Sequence, residues 1–167
     1  MAREESYRED LIREATGLVD RVEYEVESTE EPVVVGFRRD GSISFFFGQD
    51  RVYQFNRHNE LRRGYLNGKL LKAENGTLVF LTRERTETQV QLLRHELTER
   101  EQQTIIDEAK QNIAKLKTAI EDGTACESRS VSQDDADEPA RERVLRWLQS
   151  WSGVIAVAAS ARVSDPR

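Results

Sequence analysis

Asp40-Gly41, Asn67-Gly68 and Asn75-Gly76 each stand between stretches rich in Val, Ile, Leu, Phe and Tyr. A two-residue type I′ hairpin loop needs positive φ at both central residues, and Asn-Gly or Asp-Gly meets that need at the lowest steric cost. The three pairs predict an antiparallel meander over residues 33–83, running through VVVGFRR, SISFFFG, RVYQFN, ELRRGYLN, KLLKAE and TLVFLTR.

Two-residue loops also set the register. Around Asn67-Gly68, Leu66 should face Lys69, Gly64 face Leu71 and Arg62 face Ala73. Around Asn75-Gly76, Ala73 should face Leu78, Leu71 face Phe80 and Lys69 face Thr82. One sheet face then holds Leu66, Leu71, Ala73, Leu78 and Phe80 and should be core. The other holds Leu61, Arg63, Tyr65, Leu70, Lys72, Glu74, Val79 and Leu81. Around Asp40-Gly41 the same rule pairs Phe37 with Ser44, Gly36 with Phe45 and Val35 with Phe46. Phe45 and Phe47 fall on one face there and Phe46 on the other, so this hairpin should be covered on both sides.

Helical and strand periods flank the meander. Tyr7, Leu11, Ala15 and Leu18 step along one side of a helix over residues 3–19, while Val22, Tyr24 and Val26 alternate with Glu as a strand does. Val90 and Leu92 alternate with Gln89 and Gln91, which favours a further strand. Thr98 with Glu101 matches a capping box, and Ile105, Ala109, Ile113, Leu116 and Ile120 form one stripe that Gly123 ends. The predicted class is α+β. An antiparallel meander of about seven or eight strands, curved or partly closed, is packed by the amino-terminal helix and by the long helix after the last strand.

Residues 1–122 read as one α+β domain. Residues 123–138, GTACESRSVSQDDADE, contain little that can be buried and read as a disordered acidic linker. Pro139 suits the first turn of a short amphipathic helix over 139–151, and residues 152–167 read as a flexible tail. Trp147 and Trp151 on so short a helix should dock on something, the domain itself ahead of a partner; they are the candidate partner-binding residues.

Hydrophobic residues make up 37% and charged residues 34%, so a modest core under a heavily solvated exterior is expected. The net charge of −6 argues against bulk attraction to nucleic acid or anionic lipid. Charge is uneven, however: residues 33–85 carry ten Lys and Arg against five acids, whereas residues 1–32 carry four Arg against eleven. Within the basic segment Arg63 directly opposes Lys72, a pairing of like charges that destabilises a sheet unless something compensates it. A phosphate or carboxylate held by Arg62, Arg63, Lys69 and Lys72, with Tyr53 and Tyr65 stacking or donating, is one compensation. A solvated rim whose long side chains splay apart is the plainer one.

Reactive chemistry finds little support. Gly64-Tyr65-Leu66-Asn67-Gly68-Lys69-Leu70 has its glycines one residue too close for a phosphate loop, and Leu70 stands where Ser or Thr is required. His95-Glu96-Leu97-Thr98-Glu99 resembles a zinc helix motif, but the capping box begins the helix between His95 and Glu99. Cys126 is the single cysteine, so it forms no internal disulfide, and no His or basic cluster that would activate a thiol stands near it in the sequence. Neither a catalytic residue, a metal nor a cofactor is therefore expected. The first residues lack a secretory apolar stretch, and Val154 to Ala161 is far short of the ~20 residues that span a bilayer, which leads to the expectation of a cytoplasmic protein.

GFRRDGSISFFFGQDRVYQFN, continued by ELRRGYLNGKLLKAENGTLVFLTRER, resembles a family of small uncharacterised bacterial proteins over about residues 33–100. The resemblance implies a shared β-rich domain and carries no activity. The expected function is a non-enzymatic binding or interaction module that meets a protein partner through a sheet edge or the Trp147/Trp151 helix. An anion or nucleic-acid binder using the basic face is one alternative. A small-ligand carrier or enzyme with a pocket inside the curved sheet is another.

Overall fold

The computed structural model describes residues 18–27, 29–132 and 138–159. Its strands are β1 (Asp20–Val26), β2 (Val33–Phe37), β3 (Ile43–Phe47), β4 (Arg51–Phe55), β5 (Glu60–Leu66), β6 (Lys69–Glu74), β7 (Thr77–Arg85), β8 (Val90–Glu96), β9 (Ala125–Val131) and β10 (Ala156–Val157). Two helices complete the described chain, α1 (Glu99–Asp122) and α2 (Ala140–Ser150). One sheet runs in the order β8-β7-β6-β5-β4-β3-β2-β1-β9, and β10 adds in parallel to β5.

The Asn-Gly turns set the register that their chemistry dictates. Asn67 and Asn75 have φ of 52° and 55°, followed by Gly68 and Gly76 at 81° and 80°. Leu66 accordingly faces Lys69, Gly64 faces Leu71, Ala73 faces Leu78 and Leu71 faces Phe80. The Asp40-Gly41 turn differs. Only Gly41 is left-handed, at φ 87°, and the loop runs from Arg38 to Ser42, whose backbone groups are bonded at 2.9 Å. Asp40 instead uses its carboxylate to accept from the N–H and hydroxyl of Ser42. The loop is one residue longer than expected, so the pairing slips: Phe37 faces Ile43, Gly36 faces Ser44 and Val35 faces Phe45.

A bulge makes a second correction. Gln54 pairs with Arg63 but Phe55 pairs with Leu61, so Arg62 is the extra residue on β5. Leu61 therefore changes sides and joins the core.

Both helices lie on one face of the sheet, the inner face. Ile105, Ala109, Ile113 and Leu116 of α1, with Ala140, Val144 and Leu148 of α2, pack there against Val22, Val35, Phe45, Phe55, Leu61, Leu71 and Leu78. Helix α1 begins with both bonds of the Thr98/Glu101 capping box. Near its start the Leu78 N–H donates to Gln102 Oε1, in its middle Glu108 and Asn112 reach Tyr53, and beyond its end the Glu27 N–H donates to Thr124 O. A helix of 24 residues is about 36 Å long. The seven strand spacings from β7 to β9 amount to about 33 Å. Helix α1 therefore crosses the strands, its length matching the sheet it covers. The outer face holds a smaller apolar cluster of Leu18, Phe46 and Val52.

The α+β expectation gives way to a β-rich chain, because ten strands form one sheet and only two described helices cover it. The helix expected over residues 3–19 lies, apart from Leu18 and Val19, outside the described residues. Those two are not helical; the Val19 N–H donates to Phe37 O at 2.9 Å, extending the pairing of β1 with β2. The stretch read as a linker supplies β9 over Ala125–Val131, and residues 133–137 lie outside the described chain. Its polar sequence concealed it: at a sheet end, backbone pairing with β1 suffices and the side chains face water. The stretch read as a tail supplies β10, which pairs beside Glu60 and Leu61 where β6 has diverged from β5, and Ala158 bonds both Leu61 and Gly76.

Candidate binding surface

The six residues proposed for anion contact do not assemble. Arg63 does oppose Lys72, on the outer face with Tyr65. The amide of Gln54, itself 2% exposed, explains how the sheet tolerates them. Its Oε1 accepts from Arg63 Nε at 2.8 Å while its Nε2 donates to Ser44 Oγ at 3.3 Å. Arg63 is thereby held down across β4, and Lys72 extends into solvent. Lys69 belongs to the other side of the sheet, with Nζ 5.3 Å from the centroid of the Phe80 ring. Arg62, on the bulge, reaches Asp40 at 3.7 Å. Tyr53 is buried on the inner face.

Tyr53 anchors the middle of α1. Its hydroxyl donates to Glu108 Oε1 at 3.5 Å and accepts from Asn112 Nδ2 at 3.4 Å, and Arg51 Nε lies 3.1 Å from the same carboxylate. Burial, then the Glu108 charge, pushes the Tyr53 phenol up to about 12. Burial, then Glu127, does the same for Tyr24, raising it to about 12 against the opposing pull of Arg141. Phenols so placed stay neutral through the physiological range and are poor general bases.

A titration should show it. Of the four tyrosines, Tyr24 and Tyr53 should keep their protons to about pH 12. An unfolded chain releases them near pH 10. Between those values the unfolded state binds fewer protons than the folded one, so stability falls as pH rises through the window. Tyrosinate absorbance at 295 nm, followed alongside circular dichroism, checks this. Ionisation of all four near pH 10 in a still-folded protein contradicts it.

The tryptophans fasten α2 to the sheet. The Trp147 ring lies 5.2 Å from Phe45 and 5.7 Å from Phe55, and Trp151 stacks on it at 6.4 Å with the planes 13° apart. Trp147 Nε1 donates to Asn59 Oδ1 at 2.7 Å, and the apolar stripe of α2 is buried beside it. At the start of the helix Arg143 pairs with the buried Asp20 and lies 4.1 Å over the Phe37 ring. Docking on the domain, expected ahead of docking on a partner, is what Trp147 does through Phe45, Phe55 and Asn59.

Another surface stands out at the opposite end of the sheet. Strand β6 follows β7 only as far as the Leu70–Leu81 pair. Thr82 to Arg85 and Val90 to Leu93 continue as a two-stranded ribbon beyond it. Strand β8 is the terminal strand, and its whole length is exposed. Val90, Leu92 and Leu93 are 55%, 60% and 43% exposed, three large apolar side chains on one short edge. The alternation of Val90 and Leu92 signalled the strand in the sequence. That it would end the sheet was not legible, because strand order depends on where the chain after α1 returns.

Among the described residues, the outer side of this end carries Lys72 and Glu74 of β6, Leu81, Arg83 and Arg85 of β7, and Val90, Leu92, Arg94 and Glu96 of β8. Arg94 bridges Glu74 and Glu96 at 2.7 and 3.0 Å. Among the described residues, no group of three His, Cys, Asp or Glu side chains is placed to hold a metal ion, and no helix is long and apolar enough to cross a membrane. In comparisons with protein-family models, curated proteins and solved structures, no match to this chain is found.

Proposed function

We propose that this protein is a non-enzymatic interaction module that receives a protein partner along the β8 edge. The observation that carries the reading is the exposure of Val90, Leu92 and Leu93 on a strand that ends the sheet. A terminal strand offers a row of backbone donors and acceptors, and edges without a use are commonly blunted by charge, proline or a covering element. Over Val90 to Leu93, ahead of its charged end, strand β8 has three apolar side chains where such devices belong. Adding a strand from a partner satisfies the backbone and buries those side chains together. The edge is favoured over the basic face because Lys69 and Tyr53 lie on the inner side, away from Arg63 and Lys72, and Arg62 reaches Asp40 instead.

The test replaces Val90 and Leu92 with threonine, which keeps strand propensity and removes the apolar contact. Wild type and Val90→Thr/Leu92→Thr are compared by quantitative affinity capture after confirming equal melting temperatures. A specific partner should be depleted about tenfold or more by the pair, as expected when contacts at the centre of an interface are lost. An unchanged set of captured proteins rules out this edge as the docking site.

A further inference from the structure

We propose that Asn67 is a site of self-catalysed deamidation in the folded protein, assisted by Arg51, and that Asn75 is a copy of the same dipeptide kept silent by the carboxy-terminal segment. This chemistry lies beyond the interaction reading and is independent of the β8 edge.

Asparagine before glycine carries its own nucleophile. The Gly68 nitrogen attacks Asn67 Cγ and forms a new N–C bond, while its proton passes to water. The bond from Cγ to Nδ2 then breaks, and Nδ2 takes a proton from water and leaves as ammonia. A cyclic imide remains. Water opens it at Cγ to give aspartate, or at the main-chain carbonyl to give isoaspartate, whose backbone is longer by one carbon. Overall one water is consumed and one ammonia released, with no oxidant or reductant. Glycine favours the attack because no Cβ stands beside the nitrogen.

The two Asn-Gly turns have nearly the same backbone, with φ of 52° and 81° at Asn67-Gly68 and 55° and 80° at Asn75-Gly76, and both asparagines are exposed. Their surroundings differ at the reacting atoms. Asn67 Oδ1 accepts from Arg51 Nη1 at 2.8 Å. That guanidinium is itself fixed, with Nη1 3.0 Å from Asp50 O and Nε 3.1 Å from Glu108 Oε1. Attack at Cγ drives negative charge onto Oδ1, where a charged donor is already in place. Arg51 thus stabilises the tetrahedral intermediate as an oxyanion-hole donor does. Among the described residues no group accepts from the Gly68 N–H or from Asn67 Nδ2, so nucleophile and leaving group both stay open to water.

At Asn75 the nucleophile is engaged. The Gly76 N–H donates to Ala158 O at 3.0 Å, just past β10, and the Ala158 N–H donates in turn to Leu61 O at 2.9 Å. Gly76 is free to attack only after the carboxy-terminal segment has lifted, so Asn75 reacts only in the open fraction of molecules. The products matter most at position 67. An aspartate there sets a second carboxylate against Arg51, beside that of Glu108. An isoaspartate puts an extra carbon into a two-residue loop whose length fixes the Leu66–Lys69 register, and so loosens the tip of the β5–β6 hairpin.

The experiment holds the full chain at mildly alkaline pH and follows both asparagines by peptide mapping with mass spectrometry, separating aspartyl from isoaspartyl peptides. In the folded protein Asn67 should react at least about tenfold faster than Asn75, a modest share of what a preorganised oxyanion donor supplies in an enzyme. In concentrated urea neither Arg51 nor Ala158 is in place, and the two rates should come within about threefold of each other. Arg51→Gln should slow Asn67 at least about fivefold and leave Asn75 unchanged, since only the charged donor is lost. Arg51→Lys should give an intermediate rate, because lysine keeps the charge without the planar fork. Arg143→Met, which frees the start of α2 from Asp20, should speed Asn75 and leave Asn67 alone. Equal rates in the folded protein, or a faster Asn75, overturn the proposal. So does an Asn67 rate that Arg51→Gln leaves unchanged or raises, which would mean that the guanidinium clamps the amide. If Arg51→Gln speeds Asn75 as well, the fold has loosened and Arg51→Lys decides: an Asn67 rate equal to or above wild type then overturns the proposal.

Discussion

Gly64→Ala should lower the stability of this protein by about 3 kcal/mol, the upper end of what overpacking costs in a well-filled interior. A Cβ at position 64 would stand 2.2 Å from the carbonyl oxygen of Val52 and 3.3 Å from its carbonyl carbon. Both atoms are backbone of the neighbouring strand, so no rotamer change relieves the clash. Gly64 pairs with Tyr53 on one side and Leu71 on the other, in the middle of the strand order. Alanine must therefore push β4 from β5 just where the Arg62 bulge has already bent the ladder. For a chain of this size each kcal/mol shifts the melting temperature by roughly 3 °C, so a drop of about 9 °C is expected in a thermal scan. A shift below about 2 °C would mean that the two strands do not approach as described.

The central hairpins were legible because Asn-Gly turns are local. Two residues determine the backbone, and the backbone determines which side chains face each other, so Arg63 against Lys72 and Ala73 against Leu78 follow without tertiary information. The Asp40-Gly41 turn shows the limit of that reasoning. Aspartate has a second option, accepting from Ser42 with its own carboxylate, and taking it lengthened the loop by one residue. Arg62 shows another limit: nothing in Glu60-Leu61-Arg62-Arg63 announces the bulge, which lies next to the Glu60 and Leu61 positions where β10 pairs with β5. Strand β9 was hidden for a different reason. Its residues Cys126 to Ser130 all face water, and side-chain periodicity reports only what is half-buried. The candidate surface was half visible, since the alternation of Val90 and Leu92 revealed the strand but its place at the end of the sheet is a long-range property. The tryptophans of α2 were visible as anchors, and it took Phe45, Phe55 and Asn59 to show on what they are anchored.

Arg143→Met should be the most destabilising change in α2, by about 3–5 kcal/mol, the range found when one member of a buried ion pair is removed. The two partners are unequally covered. The Asp20 side chain is 3% exposed and that of Arg143 is 29% exposed. Without the arginine, a carboxylate in a dry site loses the charge that Arg143 sets against it, and the contact with the Phe37 ring goes with it. Asp20→Asn should be milder, because the long arginine stem lets its head group reach water. The double variant Asp20→Asn/Arg143→Met should then be more stable than Arg143→Met alone, since no buried charge remains. Trp147 and Trp151 report the same event optically. They stack on each other, and Trp147 also packs on Phe45 and Phe55, so lifting α2 exposes both indoles and shifts their emission to longer wavelength. Loosening α2 also removes the brace behind β10, whose residues follow directly from the helix through Gly153 to Val157 and close the gap beside β5. Denaturant unfolding followed by tryptophan emission tests the whole chain of cause. Arg143→Met within 1 kcal/mol of wild type, or a double variant weaker than Arg143→Met, would show that the pair is not what holds the carboxy-terminal segment to the sheet.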